Sequence, residues 1–182
     1  VYTAASFLPL TMVVTWLYDI SLKIIFSSAK QASAVTTISA SEEIGGESYL
    51  RMDTHATGVP GNGKETNYYR LTDRGIYRIP GAKRDEGELF FLPSELKVGQ
   101  TWRESDDGVT YKVEAEEVLD TPAGKFTCLR ISIRGTKGFN SINDEIWLSQ
   151  GVGVVQQSQV RPTHSAKSTL KAFKLTAEGR DG

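Results

Sequence analysis

The sequence has very few of the residues that carry metal and redox chemistry. It contains one cysteine, Cys128, and two histidines, His55 and His164, among 182 residues. A single cysteine excludes an internal disulfide and a multi-cysteine metal centre. Cys128 lies in the apolar run KFTCLRISI, which predicts a small buried side chain. Neither histidine has clustered metal ligands near it in the sequence, so we expect no metal site and no cofactor.

The sequence also lacks an excess of charge of either sign. The 21 basic and 22 acidic side chains leave a net charge of -1 at neutral pH. A surface that binds phosphate groups usually shows as a basic excess. Nucleic acid is therefore not an expected partner, although a local basic patch remains compatible with this composition.

An uninterrupted apolar run of membrane-spanning length is missing as well. The stretch from Phe7 to Phe26 comes nearest, but Asp19 and Lys23 interrupt it. We therefore expect no transmembrane segment in this chain. Its first residues, VYTAASF, have no basic segment ahead of an apolar one, so we expect no signal peptide in it either.

What the sequence does contain is a hydrophobic period of two. Every second residue is apolar from Met12 to Phe26, and the intervening positions include Asp19 and Lys23. This alternation predicts a long, half-buried strand. Similar alternation covers 109–115 and 127–133, with glycine, proline and aspartate at the intervening turns. We find no convincing amphipathic helix, so the pattern predicts an all-β protein.

Two short stretches indicate that the sequence contains an internal repeat. LTMVVTW at 10–16 and LKVGQTW at 96–102 share leucine, threonine and tryptophan at the same places. Four further matches follow in the same order: Glu42-Glu43-Ile44 with Glu116-Glu117-Val118, Leu50-Arg51-Met52 with Leu129-Arg130-Ile131, Tyr68-Tyr69 with Ile146-Trp147, and Gly75-Ile76-Tyr77 with Gly153-Val154-Val155. The series favours an internal duplication, although antiparallel β-proteins share turn chemistry that also produces false matches.

The predicted organisation is a single domain, 1–182, with little helix. The repeats are 8–79 and 92–160, with a linker at 80–91 and a C-terminal strand at 167–176. Each half is small for a core of its own. We therefore expect about nine to eleven strands in a strongly curved antiparallel sheet, or a half-open barrel or sandwich, built from two sequence-related halves.

Two motifs resemble a phosphate-binding loop and a pair of catalytic carboxylates, but neither has the arrangement that such a site needs. GVPGNGKE at 58–65 has the glycine and lysine spacing of a phosphate-binding loop, but Glu65 stands where serine or threonine would hold magnesium. The acidic pairs Glu42-Glu43 and Glu116-Glu117 are adjacent on predicted strands and would face opposite ways. We expect no catalytic residues and no enzyme. A pocket that gathers a histidine, a serine and a carboxylate would favour a hydrolase instead.

The aromatic residues are the most informative candidates for a site. A single curved sheet leaves its concave face to be covered by the chain, a partner or an apolar ligand. The alternative interpretation is that the aromatic residues only fill the core. The candidate ligand-binding residues are Trp16, Tyr18, Tyr69, Tyr77, Trp102, Tyr111 and Trp147.

Three motifs resemble a pattern in uncharacterised bacterial cell-envelope proteins: LPSELKVGQTW, TPAGKFTC and IWLSQGVGVV. The matching positions are Pro93, Gly99, Trp102, Pro122, Ala123, Gly124, Phe126, Trp147, Gly151, Gly153 and Val155. The resemblance covers about residues 66 to 160. The first half of the predicted repeat departs from this pattern, because Val13 occupies the position that Gly99 occupies in the second half.

The resemblance implies an exported protein, often lipid-anchored, located in the periplasm, at the outer membrane or at the cell surface. More distantly, such curved sheets resemble lipoprotein carriers, whose concave face holds acyl chains. We therefore expect a non-catalytic binding domain for a lipid, an acyl chain or a segment of an envelope protein. The alternative is a structural or interaction subunit of a larger surface assembly. The sequence leaves the ligand and the oligomeric state open.

Overall fold

The computed structural model describes residues 1–10, 14–85, 87–106 and 108–175. Within them, almost all of the regular structure is β. The elements are β1 (Tyr2–Thr3), α1 (Ala4–Phe7), β2 (Val14–Ile24), β3 (Lys30–Ile44), β4 (Glu47–Thr57), β5 (Lys64–Thr72), β6 (Gly75–Pro80), a 3₁₀ turn (Gly81–Lys83), β7 (Leu89–Pro93), β8 (Glu95–Leu96), β9 (Thr101–Arg103), β10 (Thr110–Thr121), β11 (Gly124–Lys137), β12 (Asn140–Ser149), β13 (Gly153–Val160) and β14 (His164–Leu175).

Twelve strands form one antiparallel sheet in the order β7-β6-β5-β4-β3-β2-β14-β13-β12-β11-β10-β9. The predicted all-β, strongly curved antiparallel sheet is therefore confirmed. The count exceeds the expected nine to eleven because β7, which begins inside the predicted linker, pairs with β6. The predicted C-terminal strand falls within β14, apart from residue 176, which lies outside the described residues.

The sheet curves until its two edge strands meet. The backbone N–H of Phe90 in β7 donates to the carbonyl of Glu104, just after β9, at 2.9 Å. The indole Nε1 of Trp102 donates to the carbonyl of Phe91 at 3.0 Å. Register shifts in five strand pairs bend the sheet toward this closure. The result is a nearly closed, barrel-like sheet whose concave face becomes an interior.

The two ends of this interior differ. At one end, which we call the plugged end, the N-terminal segment 1–10 packs against the sheet. Ala4, Phe7 and Leu8 are buried there, and β1 pairs with β8. The other end, the open rim, is made by the connections 25–29, 58–63, 81–88, 104–109, 138–139 and 161–163, apart from residues 86 and 107, which are outside the described part.

The core lies mainly toward the plugged end. One cluster packs the N-terminal segment against Ile76, Leu92, Leu129 and Leu148, all at most 1% exposed. A second cluster surrounds Trp16, whose indole Nε1 donates to the carbonyl of Val152 at 2.6 Å. Both clusters draw on positions that follow the period of two in the sequence, as strands with one buried face require.

The matched segments of the predicted duplication occupy strands of equal order in the two halves. The four later pairs lie on β3 and β10, β4 and β11, β5 and β12, and β6 and β13. Residues 11–13 of LTMVVTW lie outside the described residues, whereas Trp16 is in β2 and Trp102 is in β9. Gly99 has a φ of +87°, a conformation that favours glycine. The duplication stays a prediction.

Among the described residues, no helix is long and apolar enough to cross a membrane.

Candidate ligand-binding cavity

The interior is not filled throughout. A cavity of about 570 Å³ lies between the core and the open rim. Inward-facing residues of eleven of the twelve strands line it, because alternate residues along each strand face the interior. This volume is in the range of small-molecule binding sites. The cavity is therefore the candidate functional site.

Much of the cavity wall is apolar. Seven of the twelve aliphatic lining residues come from β2, β4, β11 and β12. The aliphatic lining residues are Ile20, Leu22, Ala34, Met52, Ala56, Val59, Val109, Ile133, Ile142, Ile146, Val154 and Ala166. Such a surface suits a hydrocarbon chain, since removing apolar area from water is favourable by about 25 cal/mol per Å².

Three of the seven aromatic candidates lie in the cavity wall: Tyr18, Tyr69 and Tyr111. The hydroxyl of Tyr18 donates to the carbonyl of Val154 at 2.8 Å, which fixes its ring against the wall. Burial raises the pKa of all three hydroxyls, so each is neutral at physiological pH. That they bind a ligand stays a prediction.

The other four candidates lie outside the cavity. Trp16 and Trp147 belong to the second core cluster, where Trp147 donates to a carboxylate of Glu117. Trp102 stacks on Tyr111 with ring centroids 5.3 Å apart. Tyr77 packs on Phe90, with centroids 5.2 Å apart. Tyr77 and Trp147 immediately neighbour the wall residues Arg78 and Ile146, so the alternation of a strand directs them away from the cavity.

Six charged residues also line the cavity, and the sequence reasoning missed them. They are Glu65, Arg78, Glu104, Lys137, Asp144 and Arg161. One signal was available, since a charge in the apolar phase of an alternating strand must face the interior. Asp144 stands between Ile142 and Ile146 in this phase, and Arg78 follows Ile76 in the same way.

Two of these acids are already paired. Asp144 accepts hydrogen bonds from both terminal nitrogens of Arg161, and the Nη2–Oδ2 distance is 3.0 Å. This pairing raises the pKa of Arg161. Glu104, whose side chain is only 2% exposed, accepts from Lys137, with Nζ 2.6 Å from Oε1. Such charge-assisted pairs satisfy the hydrogen-bonding capacity of buried groups.

The Arg78 guanidinium is the least satisfied cation of the cavity. Its Nη2 is 3.9 Å from Glu104 Oε2, and its guanidinium carbon lies 5.3 Å from the centre of the Phe91 ring. Its buried Nε has no hydrogen-bond partner among the described residues. Burial would lower the pKa of Arg78, but Tyr69, Tyr111 and nearby carboxylates raise it further, so the group stays charged.

The cavity can therefore accommodate a molecule that has both an apolar part and a hydrogen-bond acceptor. Its three cations and three anions leave no net charge. Arg78 offers a donor that a carbonyl, carboxylate or phosphate oxygen would satisfy. Neither His55 nor His164 lines the cavity, and among the described residues no cluster of three His, Cys, Asp or Glu side chains is arranged to hold a metal.

A second, smaller pocket of about 240 Å³ lies at the plugged end and includes Cys128. Cys128 is free and 1% exposed, as its apolar setting in the sequence predicts. Burial raises the pKa of the thiol to about 11, so the reactive thiolate is scarce at neutral pH. We therefore give this pocket less weight than the interior cavity.

Two solved structures from bacteria have a similar fold. A "putative exported protein with YMCC-like fold" from Bacteroides fragilis is similar with a TM-score of 0.58 and 10% identity, covering 91% of this chain and 97% of that chain. A "putative lipoprotein" from Parabacteroides distasonis is similar with a TM-score of 0.50 and 14% identity, covering 92% and 98% respectively. No protein-family model and no curated protein matches the sequence.

At these identities the likeness shows the fold. Both structures are matched over nearly their whole length, so the likeness extends over the whole fold rather than one part of it. Their descriptions fall in the class of envelope proteins that the three sequence motifs resemble, and that prediction is confirmed for the fold.

Proposed function

We propose that this protein is a non-catalytic binding protein of the cell envelope that holds an acyl chain or a similar apolar molecule in its interior cavity. The observation that carries the proposal is the cavity itself, about 570 Å³ of space behind a wall in which twelve of the 28 lining residues are aliphatic. Protein interiors usually leave few voids larger than a water molecule. A space of this size, kept open by eleven strands, favours an occupant.

The position of Arg78 supports a ligand with one polar end. An arginine buried beside aliphatic and aromatic side chains is costly unless its donors are satisfied. Asp144 and Glu104 already have cationic partners in Arg161 and Lys137. An acyl carbonyl or carboxylate beside the partly exposed guanidinium of Arg78 would give this cation a hydrogen-bond acceptor, while the hydrocarbon tail contacts the aliphatic part of the wall.

The envelope location is part of the proposal. It is supported by the descriptions of the two proteins that share the fold, an exported protein and a lipoprotein. The three motifs that resemble envelope proteins support it independently of the structure, because they lie in the sequence itself.

The alternative function, a structural subunit that pairs through exposed strand edges, has less support. Free strand edges are what such pairing uses. Here the edge strands β7 and β9 approach each other, with a hydrogen bond from the Phe90 amide to the Glu104 carbonyl. Little edge is left for another chain to extend the main sheet.

Extraction of the purified protein with organic solvent, followed by mass spectrometry, tests whether a ligand is present. We expect co-purifying acyl-bearing molecules and displacement of a fluorescent fatty acid by unlabelled fatty acid. Neither a co-purifying molecule nor any change in probe fluorescence would contradict a binding cavity.

Cavity-filling variants locate the binding. Ala34→Phe places a ring in the cavity from β3, and Ala166→Phe does so from β14. Each should weaken fluorescent fatty-acid binding at least about tenfold. Val35→Phe is the matched control, because Val35 is the next residue on β3 and is exposed outside the cavity. Equal binding by folded Ala34→Phe, Ala166→Phe and Val35→Phe would place the ligand elsewhere.

An Arg78→Met variant tests the polar end of the ligand. We expect a fatty acid to bind about tenfold more weakly to the variant, and a fatty alcohol of the same length to lose less, since its head group is neutral. Equal losses for both ligands would mean that Arg78 does not hold a head group.

A further inference from the structure

The open rim carries three neighbouring hairpins with an unusual surface. They connect β2 to β3, β13 to β14, and β11 to β12, and the six strands are consecutive in the sheet. We propose that these hairpins form a docking surface for an anionic lipid bilayer. The proposal concerns the outer surface of the rim and stands whether or not the interior cavity holds a ligand.

The first hairpin holds a phenylalanine in a conformation that usually belongs to glycine. Phe26 has a φ of 62°, alone among the described non-glycine residues, and its side chain is fully exposed. The turn is closed by the Ser27 amide, which donates to the Ile24 carbonyl at 3.1 Å. A bulky side chain is strained in this region and gains nothing from solvent. Its neighbour Ile25 is also exposed.

The second hairpin presents another phenylalanine in the same way. Lys137 pairs with Asn140, so Gly138 and Phe139 form a two-residue turn, and Gly138 has the positive φ of 59° that such turns require. Phe139 is fully exposed at its tip. Small polar residues usually occupy this position in hairpins. Aromatic rings at two tips of one rim suit the interface of a membrane, where such rings partition favourably.

The charges around these rings favour an anionic surface. The spans 23–30, 134–143 and 160–167 contain no acidic residue and six basic ones. The basic residues are Lys23, Lys30, Arg134, Lys137, Arg161 and Lys167. Arg134, Lys137 and Arg161 pair with carboxylates beyond the hairpins. The three lysines, all exposed, make no ion pair with the rest of the described chain and are available to lipid phosphates.

The opposite end has the opposite character. The connections and strand ends at 42–47, 72–75, 93–101 and 116–125 contain eight acidic and three basic residues. The net charge of -1 thus hides a difference in charge between the three hairpins and the plugged end. The other open-rim connections at 81–88 and 104–109 contain six acidic and two basic residues, so the basic surface is confined to the three hairpins. An anionic bilayer would attract these hairpins and repel the plugged end, which orients the molecule before the rings make contact.

The docking surface adjoins the cavity. Arg161 in the β13–β14 hairpin and Lys137 at the base of the β11–β12 hairpin both line the cavity wall. A protein seated on this rim would hold the open side of its cavity against the lipid surface.

Vesicle flotation tests the surface, with phosphatidylcholine vesicles and vesicles in which about a third of the lipid is phosphatidylglycerol. We expect the protein to float only with the second kind. Phe26→Gly and Phe139→Ser should each reduce the bound fraction about fivefold to tenfold. Phe26→Gly should leave the melting temperature equal or higher, because glycine relieves the strain. A merely structural Phe26 would lower it instead.

Matched controls lie at the plugged end. Val98→Ser removes an apolar side chain that is 55% exposed there, and should leave flotation unchanged. The pair Lys23→Glu and Lys167→Glu should abolish flotation, whereas Lys125→Glu at the plugged end should not. Equal flotation of the wild type with both kinds of vesicle, or no effect of the rim variants, would overturn the proposal.

Two other outcomes would also overturn it. If the wild type fails to float, but Phe139→Ser converts a dimer into a monomer in analytical ultracentrifugation, the rim is an interface between two copies of this chain. Monomeric protein that never floats would leave the rim without a docking role. If the protein fails to float but binds fatty acid normally, the docking proposal is wrong and the proposed binding function still stands.

Discussion

The plugged end and the open rim are built by the same strands, yet the inward side chains are mainly apolar at the first end and include charged groups near the second. Along β6 the inward side chain changes from Ile76 in the core to Arg78 in the cavity. Along β12 it changes from Leu148 and Ile146 to Asp144. The difference teaches that one strand can bury apolar side chains at one end and place charged side chains in a cavity at the other.

The physical cost of the two ends is also different. At the plugged end, burial of aliphatic side chains contributes favourable free energy, and the buried indole N–H of Trp16 has its acceptor in the Val152 carbonyl. At the open end, the Nε of Arg78 is buried without a partner, and buried unsatisfied donors cost about 1–3 kcal/mol. Stability is expected from the first end, and the second is expected to be tolerated for its function.

The largest expected effect is a loss of stability at the plugged end. Leu148→Ala should lower the free energy of unfolding by about 2–5 kcal/mol, because Leu148 is fully buried in the core and the cavity it leaves cannot collapse. Ile142→Ala is the matched change at the cavity wall, where space already exists, and should cost less than about 1.5 kcal/mol. Urea unfolding measures both, and equal losses would break the distinction between the two ends.

A smaller effect of opposite sign is expected at the open end. Arg78→Met should raise the free energy of unfolding of the ligand-free protein by about 1 kcal/mol, because it removes a buried, incompletely bonded cation. Glu104 would keep Lys137 as its partner.

Arg130→Met provides the contrast, since Arg130 is fully engaged. Its guanidinium pairs with Glu145 at 3.0 Å and with Glu117 at 3.5 Å. This variant should lose up to about 1 kcal/mol in urea unfolding. A destabilised Arg78→Met would mean that Arg78 serves the fold rather than recognition.

The smallest expected effect is at Glu88, a carboxylate whose hydrogen-bond donors are present in the structure. Glu88 accepts from Arg70 Nε and Nη2 at 2.8 and 2.9 Å and also from the Tyr49 hydroxyl. The hydrogen bonds from Arg70 hold the pKa of Glu88 below its ordinary value of 4.5. Glu88→Gln should therefore cost up to about 1 kcal/mol at pH 7.

The pH dependence of that cost has a definite sign. A carboxyl with a lowered pKa in the folded state stabilises the protein above its ordinary pKa, and the contribution disappears as the pH falls through the folded value. The difference between wild type and Glu88→Gln should thus shrink on acidification below about pH 4.5. Glu47→Gln, at the more exposed partner of Arg70, should show a smaller difference at pH 7. A constant difference across this pH range would contradict the pairing.

Much of the fold could be predicted because strand alternation is a local property. The period of two around Trp16 and Tyr18 predicts a strand with one buried face, and the structure has β2 there. The stretch 80–91 is the predicted linker because it is charged and contains glycine, and at 89–91 it overlaps β7. This strand exists through pairing with β6 and contact with the opposite edge, which no local pattern encodes.

The candidate site was predicted less well. The aromatic residues were chosen by size, yet Tyr18 and Tyr69 line the cavity whereas Trp16 fills the core. All three face inward, and only their depth along the interior separates them. The period of two determines which face of the sheet a side chain occupies. It does not show how far the N-terminal segment extends into the interior, and that boundary separates core from cavity.

The sequence by itself determined an antiparallel sheet with one apolar face, a buried thiol at Cys128 and turns at its glycines, since these follow from nearest neighbours along the chain. Only the tertiary structure decided that the sheet closes on itself and that residues 1–10 fill one end. It alone brought Arg78 and Glu104 together inside the other end and set Phe26 and Phe139 on one rim. These placements depend on contacts between residues far apart in sequence, and such contacts form only when the whole sheet curves.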